Sequence, residues 1–174
     1  MSDAGRRYEA LVDGLVDWGA EAFVHVPSSH VAAVITGLEA RGVRGLMANR
    51  EEEAVGIAGG MALGGARVAL VMQDNGFGNA LTALTTFAQA YHLGIPIVAN
   101  TRGGLGEYNA MIHTISGTVP ELLRAAGIPV HRLGPAEPPA LWRTTARAVA
   151  EHAVMTHRPV VLLADVMHPG SADG

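Results

Sequence analysis

The sequence lacks cysteine altogether, which excludes a disulfide-stapled secreted scaffold. It also lacks lysine: all 12 of its basic residues are arginine, scattered from Arg6 to Arg158. Against 16 acidic residues these leave a net charge of −4 with no basic stripe, so no nucleic-acid partner is expected. Aromatic residues are few, at 5%, and charged residues make up 16%. The hydrophobic share of 49% is nonetheless too high for a disordered chain, and the 22 glycines keep no fixed period, which excludes a collagen-like fibre. No apolar run approaches the ~18 residues that span a bilayer. Residues 1–7 are polar and carry no signal-peptide core, so a soluble, cytoplasmic protein with no membrane partner is expected. A chain of 174 residues is long enough to bury its own core, and one domain over 1–168 is expected. A flexible tail should follow over 169–174, where Pro169, Gly170 and Ser171 give nothing to bury.

What the sequence does contain is alternation. Short β-branched runs at 22–26, 45–48, 66–72, 95–100, 128–132 and 159–164 alternate with segments of helical period. Helices are expected near 6–19, 30–40, 51–63, 78–91, 119–126 and 138–155. In the first of them Tyr8, Leu11, Val12, Leu15, Val16 and Trp18 recur at three-to-four-residue spacing. The pattern predicts an α/β domain, doubly wound, with a mainly parallel six-stranded sheet and helices on both faces. Ligands of such sheets sit beyond the carboxyl ends of the strands, which points at the residues after Val26, Ala48, Met72 and Asn100.

The first of these ends reads Pro27-Ser28-Ser29-His30. Its hydroxyls either cap the next helix or, with the free amides there, meet an anionic group. The second is Asn49-Arg50-Glu51-Glu52-Glu53. Asn49 and Glu52 have the spacing of a capping box, and three acids in a first turn suit the helix dipole. On a helical projection Val55, Ala58 and Ala62 fall close to Glu51, whereas Glu52 projects with Gly56, Gly59 and Leu63. Glu51 is therefore the acid aimed inward, and a carboxyl placed among apolar side chains is a candidate for function. The third end, Gln73-Asp74-Asn75-Gly76-Phe77-Gly78-Asn79, is a turn whose glycines permit close approach of a ligand. The fourth, Asn100-Thr101-Arg102-Gly103-Gly104-Leu105-Gly106-Glu107, offers Arg102 as a cation. His92, His113, His131, His152, His157 and His168 have no ligand spacing, so no protein-made metal site is expected.

Taken in order, R-E-E-E with V-G-I-A-G-G, then M-Q-D-N-G-F-G-N-A-L-T-A-L, then I-P-I-V and T-R-G-G-L-G-E resemble the pyrimidine-binding domain of thiamine diphosphate enzymes. More narrowly, the set is similar to the α subunits of sulfopyruvate decarboxylase and the related phosphonopyruvate decarboxylases. The likeness runs from about Ala22 to Ala164, almost the whole chain. It implies that Glu51 hydrogen-bonds N1′ of the cofactor's aminopyrimidine and that Gln73, Asn75, Gly76, Phe77, Gly78 and Asn79 approach the same cofactor. It also implies that Ser28, Ser29, His30 and Arg102 face an anionic 2-oxo acid, 3-sulfopyruvate or 3-phosphonopyruvate, which leaves as an aldehyde and carbon dioxide. The family holds the cofactor's diphosphate through Mg2+ on a second domain marked by G-D-G and a later asparagine. Here the nearest counterpart, Asp74-Asn75-Gly76 followed by Asn100, has Gln73 in place of the first glycine. The resemblance therefore implies a separate β subunit carrying the metal, an active site between chains, and an α2β2 or larger assembly. The chain departs from the family at His30 and at Tyr108-Asn109. The residues alone also fit a non-catalytic, flavodoxin-like module that binds a nucleotide or phosphorylated metabolite at the 76–79 turn.

Overall fold

A computed structural model describes residues 3–104 and 107–165. Leu105 and Gly106 of the glycine-rich run, His168 and the expected tail at 169–174 lie outside the described residues. Six parallel strands form one sheet in the order β2-β1-β3-β4-β6-β5. They are β1 (Ala22–His25), β2 (Arg44–Met47), β3 (Val68–Gln73), β4 (Pro96–Asn100), β5 (Val130–Leu133) and β6 (Val160–Ala164). The inner strands β4 and β6 are buried at every residue and β3 at all but Gln73, as unbroken apolar runs require in a sheet covered on both faces. The edge strands expose polar groups instead, among them Arg44, His131 and Arg132.

The helices are α1 (Asp3–Trp18), α2 (Ala32–Ala40), α3 (Glu51–Leu63), α4 (Phe77–Ala83), α5 (Ala110–Ala125) and α6 (Pro139–Thr156). One core lies under α1, α2 and α6, where Leu11, Leu15 and Trp18 meet Trp142, Ala146 and Val149. A second lies under α3, α4 and α5, built on Val55, Ala58, Phe77, Leu84, Val119 and Leu123. The doubly wound architecture is thus as the alternation predicts. No helix among the described residues is long and apolar enough to cross a membrane.

Two elements differ from the sequence expectation. Helix α5 starts at Ala110, not near Val119. Thr114, Ser116, Gly117 and Thr118, with Pro120 following, are poor helix formers and weaken the helical pattern there. The buried residues of the helix, Ile112, Ser116, Val119 and Leu123, nevertheless repeat at helical spacing, and the Asn109 side chain caps it by accepting the Met111 N–H. The expected helix at 78–91 is two pieces, α4 and a π turn (Leu84–Gln89), and a 3-10 turn (Asp74–Gly76) precedes them. Thr85 and Thr86 donate their hydroxyls back to the Leu81 and Thr82 carbonyls at 2.9 and 2.7 Å, which competes with regular helical bonding just where the coil widens.

The strand order reverses beside β1. The chain leaves β1 for β2 on one side through α2, then returns through α3 to β3 on the other side. Helices α2 and α3 lie on opposite faces, so a crevice opens between the carboxyl ends of β1 and β3.

Candidate active site

Helix α3 begins without a side-chain cap: Arg50 is the cap residue, in extended conformation, and the Asn49 N–H donates to Glu53 Oε2 at 2.8 Å. Glu53 thus takes the place expected of Glu52, and the Asn49–Glu52 capping box does not form. Glu51 is left to reach across to the turn after β3. A Cβ at Gly76 would stand 2.4 Å from Glu51 Cγ and 2.7 Å from Oε1, so only glycine lets the backbone lie this close to the carboxylate. Asn79 Nδ2 donates to Glu51 Oε2 at 3.0 Å. Glu51, Gly76 and Asn79 form one constellation at the start of a helix whose first turn holds three acids.

The inward helical arc is as projected for Ala54, Val55 and Ala58, but Gly59 is buried as well, pressed against Phe87 and Leu93. Glu51 itself is half-buried, with Ala54, Val55 and Ala58 of its own helix buried beside it.

At the mouth between β1 and β3, Ser28 Oγ donates to Gln73 Oε1 at 2.8 Å and accepts the His30 N–H at 3.3 Å. Neither Ser28 nor Ser29 caps α2, whose cap residue is Val31 with no side-chain bond. Ser29 is exposed, and its Oγ lies 3.0 Å from His30 Nδ1. Gln73 Nε2 donates to Asn75 Oδ1 at 2.6 Å, and Arg102 Nη1 donates to Gln73 Oε1 at 3.1 Å. Gln73 and Asn75, expected at the cofactor, are therefore knitted to Ser28 and Arg102, expected at the substrate. Burial and the nearby Arg102 charge push the His30 pKa down, favouring a neutral ring that can still donate one N–H.

Arg102 is not the solvated cation its loop position suggests. Its Nε donates to Glu107 Oε2 at 2.6 Å, and the two side chains are only 7% and 8% exposed. Glu107 Oε1 accepts the Asn109 N–H at 3.0 Å, and the Arg102 bond above all pulls the Glu107 pKa down to about 2. Gly103, at φ +77°, turns the chain against α5, where a Cβ would meet that of Ser116 at 3.2 Å.

Glu107, Ser116 and Asp74 also belong to this site, although no local sequence pattern marks them as partners. Asp74 is 1% exposed. Its Oδ1 accepts the Ser116 hydroxyl and its Oδ2 the Arg102 N–H, both at 2.8 Å. The acid stands in the quoted motif, but its partner Ser116 lies in a segment whose helical pattern is weak. Phe77, expected to approach the cofactor, is fully buried and packs in the core under α4, whereas Gly78 is exposed. Among the described residues no group of three or more His, Asp or Glu could hold a metal.

Relatives exist over nearly the full chain. The sulfopyruvate decarboxylase subunit alpha of Methanococcus maripaludis is 27% identical across 92% of this chain and 95% of its own length. Its counterpart from Methanothermobacter thermautotrophicus is 27% identical across 92% and 96%. In structure, a 2-oxoglutarate:ferredoxin oxidoreductase from Magnetococcus marinus superposes with a TM-score of 0.64 at 17% identity. That match covers 95% of this chain but 29% of the other, so it speaks to the fold alone. Residues 6–102 match the family described as thiamine pyrophosphate enzyme, N-terminal TPP binding domain. With that match spanning more than half of its length, the chain belongs to the thiamine pyrophosphate enzymes, as their N-terminal TPP binding domain.

Proposed function

We propose that this chain is the α subunit of a thiamine diphosphate-dependent decarboxylase that converts 3-sulfopyruvate or 3-phosphonopyruvate to the corresponding aldehyde and carbon dioxide. The named relatives support this reading over nearly their whole length. The observation that carries it is the half-buried Glu51 carboxyl, backed by Gly76 and held at Oε2 by Asn79.

These residues fit an aminopyrimidine. Asn79 fixes Oε2 of Glu51, which leaves Oε1 as the oxygen that would meet the ring nitrogen N1′. Gly76 lets the Glu51 carboxyl lie directly against the turn, and exposed Gly78 adds no side chain beside it. Once bound, the cofactor supplies an electron sink for the charge left behind when carbon dioxide departs. Ser29 and the neutral His30 ring are the groups at the mouth that meet the anionic end of the acid. Arg102 stands behind them, reaching this end through Gln73 while Glu107 neutralises it.

A half-buried Glu51 is incomplete for this chemistry, which needs water excluded. The missing wall is assigned to a β subunit that also holds the diphosphate and Mg2+, in a cytoplasmic α2β2 or larger hetero-oligomer that is inactive as α alone. Co-expression with the β chain should give cofactor-dependent aldehyde release from sulfopyruvate or phosphonopyruvate, measured against pyruvate as the control acid. Glu51→Gln should abolish the release while the assembly persists on size-exclusion chromatography. Activity surviving that substitution contradicts the reading, and tight nucleotide binding by the α chain alone would support the flavodoxin-like alternative instead.

A further inference from the structure

The Asp74 carboxylate, 1% exposed, is the most deeply buried acid among the described residues, and burial raises its pKa. Holding an acid at 1% exposure opposes folding unless each oxygen is satisfied. Both are satisfied, from two different elements: Ser116 on α5 donates to Oδ1, and the Arg102 N–H after β4 donates to Oδ2. Asp74 also opens the 3-10 turn (Asp74–Gly76) that carries Gly76 under Glu51, with Asn79 following in α4. The carboxylate therefore ties the ground on which Glu51 rests to two neighbouring parts of the fold.

We propose that Asp74 is a positioning residue for Glu51: by gripping Ser116 and the Arg102 amide it fixes the 74–79 turn at the distance that Glu51 needs to meet the aminopyrimidine. The proposal rests on the thiamine diphosphate reading above. It follows because the turn touches Glu51 at Gly76 with no slack, a Cβ there lying 2.4 Å from Cγ. A shift of this turn by an ångström moves the catalytic carboxyl with it, and misplacements of that size cost about a hundredfold in rate.

The test uses the reconstituted α/β enzyme saturated with thiamine diphosphate and Mg2+. Asp74→Ala leaves the Arg102 N–H and the Ser116 hydroxyl without an acceptor, and should lower kcat about a hundredfold with KM for the oxo acid unchanged. Asp74→Asn keeps the shape, accepts the Arg102 N–H, and donates to a rotated Ser116 hydroxyl, so it should bring kcat back to within about tenfold of wild type. Calorimetry without substrate should find the thiamine diphosphate dissociation constant raised in the same order, largest for Asp74→Ala. A merely structural role would instead lower Tm and leave kcat per folded assembly unmoved.

Wild-type kcat and cofactor affinity in a folded Asp74→Ala enzyme overturn the proposal, as does a KM that rises in step with the fall in kcat. If Asp74→Ala fails to fold, Ser116→Ala removes one grip from outside the turn. It should lower kcat at unchanged KM, and a wild-type kcat there overturns the proposal equally. Glu51→Gln measured in parallel separates the two claims. An active Glu51→Gln defeats the cofactor reading itself, whereas an inactive one beside unaffected Asp74 and Ser116 variants defeats only the positioning role.

Discussion

The two faces of the sheet are covered by three helices each, yet they are built differently. Under α1, α2 and α6 the core contains both tryptophans, Trp18 and Trp142, and the helices are laced from outside. Arg41 bridges Glu9 and Asp13, and Arg143 makes a two-pronged pair with Asp17 at 2.6 and 2.9 Å. The core under α3, α4 and α5 holds no tryptophan, and α3 leaves Gly56 and Gly60 on its surface with nothing within 4 Å of a would-be Cβ. At its carboxyl end Tyr108 and Met111 are 91% and 85% exposed. The first face ties its helices together with ion pairs, although α6 still exposes Leu141, Val154 and Met155. The other carries the Glu51 constellation and keeps small and uncovered residues around it, as a surface does that is completed by another chain.

That contrast breaks most visibly at Glu51 and Gly76. Gly76→Ala drives a methyl into the Glu51 side chain, and should displace the carboxyl from Asn79 and cut decarboxylase activity by about 10²-fold, with the chain still folded by circular dichroism. On the sealed face the same experiment should invert. Trp142→Ala should lower stability by about 3–5 kcal/mol in a denaturant titration while activity per folded assembly holds, because Trp142 is fully buried in the core on the face of the sheet opposite Glu51. An equal loss of specific activity in both variants would erase the distinction between the faces.

Smaller effects sharpen it. Gly56→Ala and Gly60→Ala meet open space, so each should stabilise the α chain by about 0.5–1 kcal/mol through the helix preference for alanine. If the β subunit seats on this face, the same substitutions should weaken assembly, read as a rise in the α/β dissociation constant. Assembly unchanged by both would move the interface elsewhere. The smallest effect concerns acid. Glu107 sits at about 2 against an ordinary 4.5, so its pairing with Arg102 contributes stability that is fully present above pH 4.5 and lost as pH falls toward 2. Glu107→Gln should flatten the acid limb of a Tm-against-pH series in that window, and an unchanged limb would remove the pair from the account.

The fold was legible because buried parallel strands advertise themselves as short β-branched runs, and the order of elements leaves few ways to wind a sheet. Glu51 was legible for a related reason: helical spacing put Val55 and Ala58 beside it, and both are buried. What escaped was tertiary. Arg102 looks free in sequence, and only folding brings Glu107 back onto it across a glycine turn. Ser116 was hidden inside a helix whose threonines, glycine and proline imitate a loop, and with it went the grip on Asp74. The Ser28–Gln73 bond joins residues 45 apart in the chain, a pairing that no local pattern encodes.

A structure of the α/β assembly with thiamine diphosphate bound measures the central claim directly. The account predicts Glu51 Oε1 within about 3 Å of the aminopyrimidine N1′, Gly76 behind the carboxyl, and a β-subunit wall over it. A bound cofactor whose pyrimidine lies away from Glu51, with that carboxylate facing bulk water, would contradict it.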